Sequence, residues 1–290
     1  MPITYFPQYI ILREENRYQL LDYANKTFKS ITNCPESKTL DSCYNCLSTH
    51  FYNPDGNEKY DCERGLSHYV LDYGPCYASS TYHFLTVSNI LQILGKKNIR
   101  ILSIGCGFSP DYYAFKKFIS DNSLDILIDY TGIELHPEWN IFHNPKLTPD
   151  KKILNLDVLK MRIPDFETYD IIFIDKFFSS LSDPEGRSKW LHLLKHYISK
   201  LMKSDAILIF KDVNHLSRGR DLFDSTISPY FSTVTHYKFN FDGAYGWHYN
   251  NIDENKNVFI SYPPNLAITP KSAVVKEVVF IYQNKIMEAT

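Results

Sequence analysis

The chain has 290 residues, 44% of them apolar and 22% charged, with a formal net charge of -2. That balance excludes a disordered chain and supplies no global basic field to recruit nucleic acid or an anionic membrane. No apolar run approaches the ~20 residues of a membrane span, and the first residues carry no basic-then-apolar leader, so a cytoplasmic protein without membrane partners is expected.

Residues 1–30 are expected to be helical after a short extended lead. Leu12, Leu20, Leu21, Tyr23, Ala24 and Phe28 recur partly at helical spacing among charged residues. Residues 31–62 differ: turn formers abound and apolar periodicity stops. Four of the six cysteines fall here, in Asn33-Cys34-Pro35, Cys43-Tyr-Asn-Cys46 and Asp61-Cys62. Cys43-x2-Cys46 is a spacing at which two thiolates reach one zinc ion. Cys34 and Cys62 complete a tetrahedron, with His50 as a substitute ligand. Unligated thiols or redox chemistry are the other readings, since the spacing is not that of two matched knuckles.

Residues 63–97 predict a long helical region, broken near Gly74-Pro75 and ended by Gly95. Leu66, Tyr69, Val70 and Tyr73 form one apolar stripe; Tyr77, Phe84, Val87, Ile90, Leu91 and Leu94 form another. His68 and His83 are read as hydrogen-bonded structural histidines.

From residue 99 onward, strands alternate with helices. Ile101–Ile104 runs into Gly105-Cys106-Gly107, and a helix begins at once, with Ser109 as N-cap, Pro110 at the first position and Asp111 at the positive end of the dipole. Further strands are expected at 126–133, 152–156, 170–175 and 206–210, with a helix at 186–202 between the last two. Strand 170–175 is continuously apolar, as in the centre of a parallel sheet. Beyond them, 233–241, 257–262 and 274–282 are strand candidates, two of which complete the sheet with an antiparallel edge. The expected architecture is α/β: a doubly wound, mostly parallel seven-stranded sheet over 98–290, with a helical, Cys-rich extension over 1–97.

Ligands of such sheets bind beyond the carboxyl ends of the strands. Glycine or acidic residues stand at four of those ends: Gly105 and Gly107, Glu134, Asp157 and Asp175. A dinucleotide phosphate wants a third glycine and an uncharged helix mouth, where this chain has Pro110 and Asp111. An anionic first turn opposes phosphate but not a cationic sulfonium. Glu134 suits a ribose diol, because a carboxylate accepts from both hydroxyls.

Residues ~100–215 thus resemble the class I S-adenosylmethionine-dependent methyltransferases. The resemblance implies a methyltransferase that uses S-adenosylmethionine and contacts it through Gly105, Cys106 and Gly107, through Glu134 at the ribose, through Leu135, through Asp157 at the adenine with Val158 beside it, and through Asp175. The chain departs from the family pattern at Ser103, where an acid is common, and at Ser109, where a third glycine is common. The interval from Gly105 to Glu134 is longer than usual, and strand 170–175 is not followed by Asn/Asp-Pro-Pro-aromatic. These departures leave a non-catalytic binding or scaffold protein of the same fold as the alternative.

Methyl transfer needs alignment above all, and sometimes a base. Asp175, Asp212 and His215 stand where a base could sit, with loop capping as their other role. Trp247, His248 and Tyr249 could wall a substrate or cover the sheet edge. The methyl acceptor, whether small molecule, protein or RNA, is not specified. Tyr44, Phe51 and Tyr52 among the cysteines loosely resemble the zinc modules that precede some ribosomal RNA methyltransferases, while net charge argues the other way.

Overall fold

The computed structural model describes residues 12–32, 62–146, 148–160, 168–181, 183–215, 219–239, 249–254, 256–259, 262, 265–271 and 276–283. In chain order the elements are helices α1 (Leu12–Ser30), α2 (Glu63–Ser88) and α3 (Ile90–Leu94), then strand β1 (Asn98–Ile104), α4 (Pro110–Asp121), β2 (Leu127–Glu134), β3 (Lys151–Asn155) and β4 (Tyr169–Asp175). There follow α5 (Pro184–Leu201), β5 (Met202–Val213), α6 (Arg220–Ile227), β6 (Thr233–Phe239), β7 (Asn250–Ile252) and β8 (Glu277–Gln283). Among the described residues, no helix is long and apolar enough to cross a membrane.

The strands form one sheet in the order β3-β2-β1-β4-β5-β8-β6-β7. Neighbours from β3 to β5 are parallel, and β8 runs antiparallel to both β5 and β6. The mostly parallel α/β sheet is therefore as expected, with eight strands instead of seven because the short β7 adds to β6. The antiparallel strand lies inside the sheet and not at its edge. Val278 to Tyr282 are all buried, and a strand apolar at every position needs a neighbour on each side and cover on each face.

The strand expected at 257–262 does not form among its described residues. Asn257 Oδ1 accepts from Phe259 N at 2.9 Å, and Ser79 Oγ accepts from Val258 N at 2.9 Å. Side chains meet the backbone groups that a ladder would otherwise satisfy.

Packing on the two faces explains the strand patterns. On one face Leu102, Ile104, Ile172, Ile174, Leu208 and Phe210 meet Trp190, Leu194 and Ile198 of α5 and Phe223 of α6. On the other, Ile101, Ile171, Phe173, Ile207 and Ile209 meet Phe84 and Leu85 of α2 and Phe115 and Phe118 of α4. A third cluster joins Leu21, Ala24 and Phe28 of α1 to Leu66, Val70 and Leu71 of α2, and to Phe108, Trp139 and Phe142. So the C-terminal half of α2 lies on the sheet, and its N-terminal half reaches the loops at the strand ends.

The break expected at Gly74-Pro75 is absent; α2 continues through Pro75 and stops at Asn89, which takes a left-handed φ of 55°. An interior proline costs about 3 kcal/mol, but this turn is enclosed, with Val70, Leu71, Gly74, Pro75 and Ala78 all buried. Packing outweighs the lost hydrogen bond. Gly74 also has a packing role: a Cβ there would lie 3.4 Å from the Phe108 ring, so its absence brings α2 close to the glycine turn. His83 is hydrogen-bonded, Nε2 to Lys256 O at 2.6 Å, and His68 packs on the Phe28 ring.

Candidate functional site

A cleft of ≈ 420 Å³ opens at the carboxyl ends of β1 to β4. Its walls include Gly105, Cys106, Gly107, Glu134, Leu135, Asp157, Val158 and Asp175, so the topology brings all eight predicted cofactor contacts to one cavity.

The glycine turn is built by backbone geometry. Gly105 and Gly107 take φ of +68° and +50°, a region costly for side chains with a Cβ. A Cβ on Gly105 would also sit 2.6 Å from the Phe177 ring. Gly105 N and Cys106 N both donate to Ile133 O, at 2.8 and 3.1 Å, which ties the turn to the end of β2. Beneath it, Gly132 leaves room for Cys106, whose Sγ would lie 2.5 Å from an added Cβ. Cys106 is buried, and burial, with Glu134 and Asp111 nearby, pushes its thiol well up. It is a packing group, not a nucleophile.

Ser109 does not cap α4 with its side chain. It takes a left-handed φ of 64°, and its N–H donates to Cys106 O at 2.7 Å. An N-cap oxygen works from an extended backbone, and the tight turn after Gly107 denies Ser109 that conformation.

Glu134 connects the glycine turn to the segment that follows β2. Its Oε2 accepts from Gly107 N at 2.9 Å and its Oε1 from His136 N at 3.0 Å. Burial raises its pKa against these two hydrogen bonds. Each oxygen keeps a second lone pair to offer. Asp157 is more exposed; it accepts from Leu159 N at 2.9 Å and pairs with Lys160 at 3.0 Å. Despite some desolvation, these partners hold its carboxyl below the usual range.

Asp175 faces the cleft but is committed to Lys211, whose Nζ lies 2.9 Å and 3.1 Å from its two oxygens. Lys176 has a left-handed φ of 52°, pairs with Glu277 and lies over the Tyr77 ring at 3.6 Å. Burial works against its charge, but Glu277 and Asp175 outweigh that and raise its pKa. Asp175 and Lys176, which line the cleft, are thus backed by Lys211 and Glu277 in a cluster of two cations and two anions.

Asp212 is turned away, accepting from Ser179 N at 2.9 Å and from Val213 N. His215 does not line the cleft. Tyr249 packs near His236 and Phe280, with ring centroids 5.9 and 6.4 Å away, so of its two readings it takes the sheet cover. Trp247 and His248 lie outside the described residues.

Asp111 is 1% exposed and also lines the cleft, with Tyr130 OH donating to it at 3.0 Å. Burial pushes its carboxyl up to about 6. The folded state therefore binds this proton more tightly than the unfolded chain, and stability falls as pH rises from about 4 through 6. Asp111→Asn is expected to flatten that part of the curve and to gain about 1–3 kcal/mol at pH 7. Urea unfolding at pH 4.5 and pH 7 checks both.

The end of β4, Asp175 to Phe177, borders the cleft as the family resemblance implies, whereas sequence reading missed the other walls: Tyr69 and Tyr77 of α2, Trp139 between β2 and β3, and Leu181 after β4. The available signal was the spacing of Tyr69, Tyr73 and Tyr77, one above another on a helix. Of the predicted zinc ligands, Cys34, Cys43 and Cys46 lie outside the described residues, as does His50. Cys62 is exposed, and its thiol accepts from Gly65 N at 3.4 Å at the start of α2. Among the described residues, no His/Cys/Asp/Glu group could hold a metal ion.

Against known proteins, no family model matches and no curated protein matches. Solved structures do. The plantazolicin methyltransferase BpumL, in complex with S-adenosylhomocysteine and a triazolic desmethylPZN analog, is 14% identical with a TM-score of 0.50, covering 85% of this chain and 100% of its own. The same enzyme with a pentazolic analog and S-adenosylhomocysteine gives 12% identity and a TM-score of 0.50 over 85% and 100%. A class I S-adenosylmethionine-dependent methyltransferase of Listeria monocytogenes is 11% identical, with a TM-score of 0.47, covering 95% of this chain and 90% of its own. At such identities the likeness is one of architecture: the chain has the fold of the class I S-adenosylmethionine-dependent methyltransferases.

Proposed function

We propose that the chain binds S-adenosylmethionine in this cleft and catalyses methyl transfer. The observation that carries the reading is the convergence of Gly105 to Gly107, Glu134, Asp157 and Asp111 on one cavity at the carboxyl ends of β1 to β3. The residues fit the ligand. Glu134 has lone pairs for two ribose hydroxyls, Asp157 has acceptor capacity for an adenine amino group, and the buried Asp111 favours a cation over a phosphate. When bound, the cofactor supplies an electrophilic methyl on a sulfonium. The chain's part is to hold that methyl in line with an acceptor and to exclude water. Tyr69, Tyr77, Phe177 and Leu181 form the apolar wall past which the acceptor enters.

Calorimetric titration with S-adenosylhomocysteine is expected to give a Kd of about 1–100 µM, with thermal stabilisation at saturating ligand. No heat and no thermal shift at millimolar ligand overturn the reading.

One observation favours the non-catalytic alternative: Asp175 and Asp212, the acids considered as bases, are both engaged inside the protein. Binding without turnover against small-molecule, protein and RNA acceptors would select it. If turnover is found, steep salt dependence of RNA binding would support RNA as the acceptor.

A structural zinc on Cys34, Cys43, Cys46 and Cys62, with His50 as substitute ligand, is the second part of the proposal, supported by sequence spacing alone. About one zinc per chain is expected by elemental analysis of protein purified without chelator; less than ~0.2 overturns it.

A further inference from the structure

We propose that His143, held by Lys151, is a positioning residue that fixes the glycine turn from behind and so sets the width of the cleft. The inference rests on the cofactor reading above, and neither residue is among the cleft walls. Lys151 opens β3, with its side chain buried against the rings of Tyr112 and Tyr113, each 5.0 Å from Nζ. Its Nζ lies 3.1 Å from His143 Nδ1, and His143 Nε2 lies 3.0 Å from Gly107 O.

The direction of these bonds follows from the donors available. An ammonium only donates, so Nδ1 accepts and the ring proton sits on Nε2. Nε2–H then donates to the Gly107 carbonyl. Burial, with the neighbouring Lys151 charge, pushes His143 down to about 3, so the ring stays neutral. Burial likewise lowers Lys151, to about 8.

The consequence is a residue held at both ends. Gly107 N donates to Glu134 at 2.9 Å, and Gly107 O accepts from His143. The same two side chains bracket the segment between β2 and β3. Glu134 accepts from His136 N at its start, and His143 ends the 3-10 turn Pro137–Phe142, its N–H donating to Asn140 O at 3.0 Å. That segment carries Leu135, His136 and Trp139 to the cleft. The glycine turn and the facing wall are therefore tied twice, once by Glu134 inside the cleft and once by His143 behind it. A site held in shape before its ligand arrives loses less freedom on binding.

The test uses four variants of the full chain: His143→Phe, which keeps a ring and loses both nitrogens, His143→Gln, whose amide can still donate to Gly107 O, Lys151→Met, and the double variant His143→Phe/Lys151→Met. His143→Phe is expected to weaken S-adenosylhomocysteine binding about tenfold, the effect of one buried carbonyl losing its donor. His143→Gln is expected to stay within about threefold, and the double variant to be no worse than His143→Phe, since the two act as one unit. Nitrogen-15 spectra of the ligand-free wild type should show His143 with its proton on Nε2. Exchange of the Gly107 amide should speed up about tenfold in His143→Phe.

A proton on Nδ1, or wild-type binding and wild-type Gly107 exchange in His143→Phe, overturns the proposal. If the wild type takes no S-adenosylhomocysteine, the cofactor reading fails, and the tautomer and amide exchange decide the strut alone. If His143→Phe does not fold, the wild-type tautomer and the binding and exchange of His143→Gln decide it.

Discussion

Lys211→Met is expected to cost about 3–5 kcal/mol of stability, the penalty for leaving buried charge without its partner. Lys211 is fully buried at the end of β5, and its Nζ reaches both oxygens of Asp175, Thr81 Oγ1 at 3.1 Å and Glu277 Oε2 at 3.7 Å. Methionine fills the same volume and supplies none of those donors. Two carboxylates then share the single ammonium of Lys176, with Glu277 buried and Asp175 open only to the cleft. The control is the double variant Lys211→Met/Asp175→Asn, which removes one charge of each sign and leaves Lys176 with Glu277. It should recover at least about 1 kcal/mol relative to the sum of the single variants. Strict additivity in urea unfolding would show that the four groups do not act as a unit.

Glu134→Ala is expected to lower affinity for S-adenosylhomocysteine about 100-fold or more, with a smaller stability loss of about 1–3 kcal/mol. The side chain serves both the turn and the ligand. Its removal strips the acceptor from Gly107 N and His136 N and takes away the acceptor proposed for the ribose. Hydrogen bonds to a charged acceptor contribute about 1.5–3 kcal/mol each, so losing two at the ligand reaches the 100-fold level. Glu134→Gln should fall between, because its amide presents a donor to one of the two backbone N–H groups. Wild-type affinity in Glu134→Ala would remove Glu134 from the site.

Much of the fold was legible because its signals are local. The apolar run of β4, the Gly105 turn and the helix start at Pro110 each depend on neighbours in sequence, and each falls where its pattern placed it. The readings that failed depended on remote neighbours. Pro75 carries a strong breaking signal, yet the enclosed turn of α2 keeps the helix intact. Ser109 has the composition of an N-cap, but the tight turn before it imposes the wrong backbone. At the site, the acids at the strand ends were visible in order, whereas the engagement of Asp175 by Lys211 was not. That pairing is set by β4 lying beside β5, which periodicity does not encode.

By itself, the sequence determined the alternation of strands and helices, the glycine turn, and the row of acids behind successive strands. Hydrophobic period, turn chemistry and helix-start residues act over a few positions and need no knowledge of the rest. Only the tertiary structure decided that β8 is an interior strand, that α2 brings Tyr69 and Tyr77 to the cleft, that the acids at β4 and β5 are engaged, and that His143 and Lys151 stand behind Gly107. Each of these joins residues far apart in the chain, and contact energies of that kind exist only once the sheet has set its strand order.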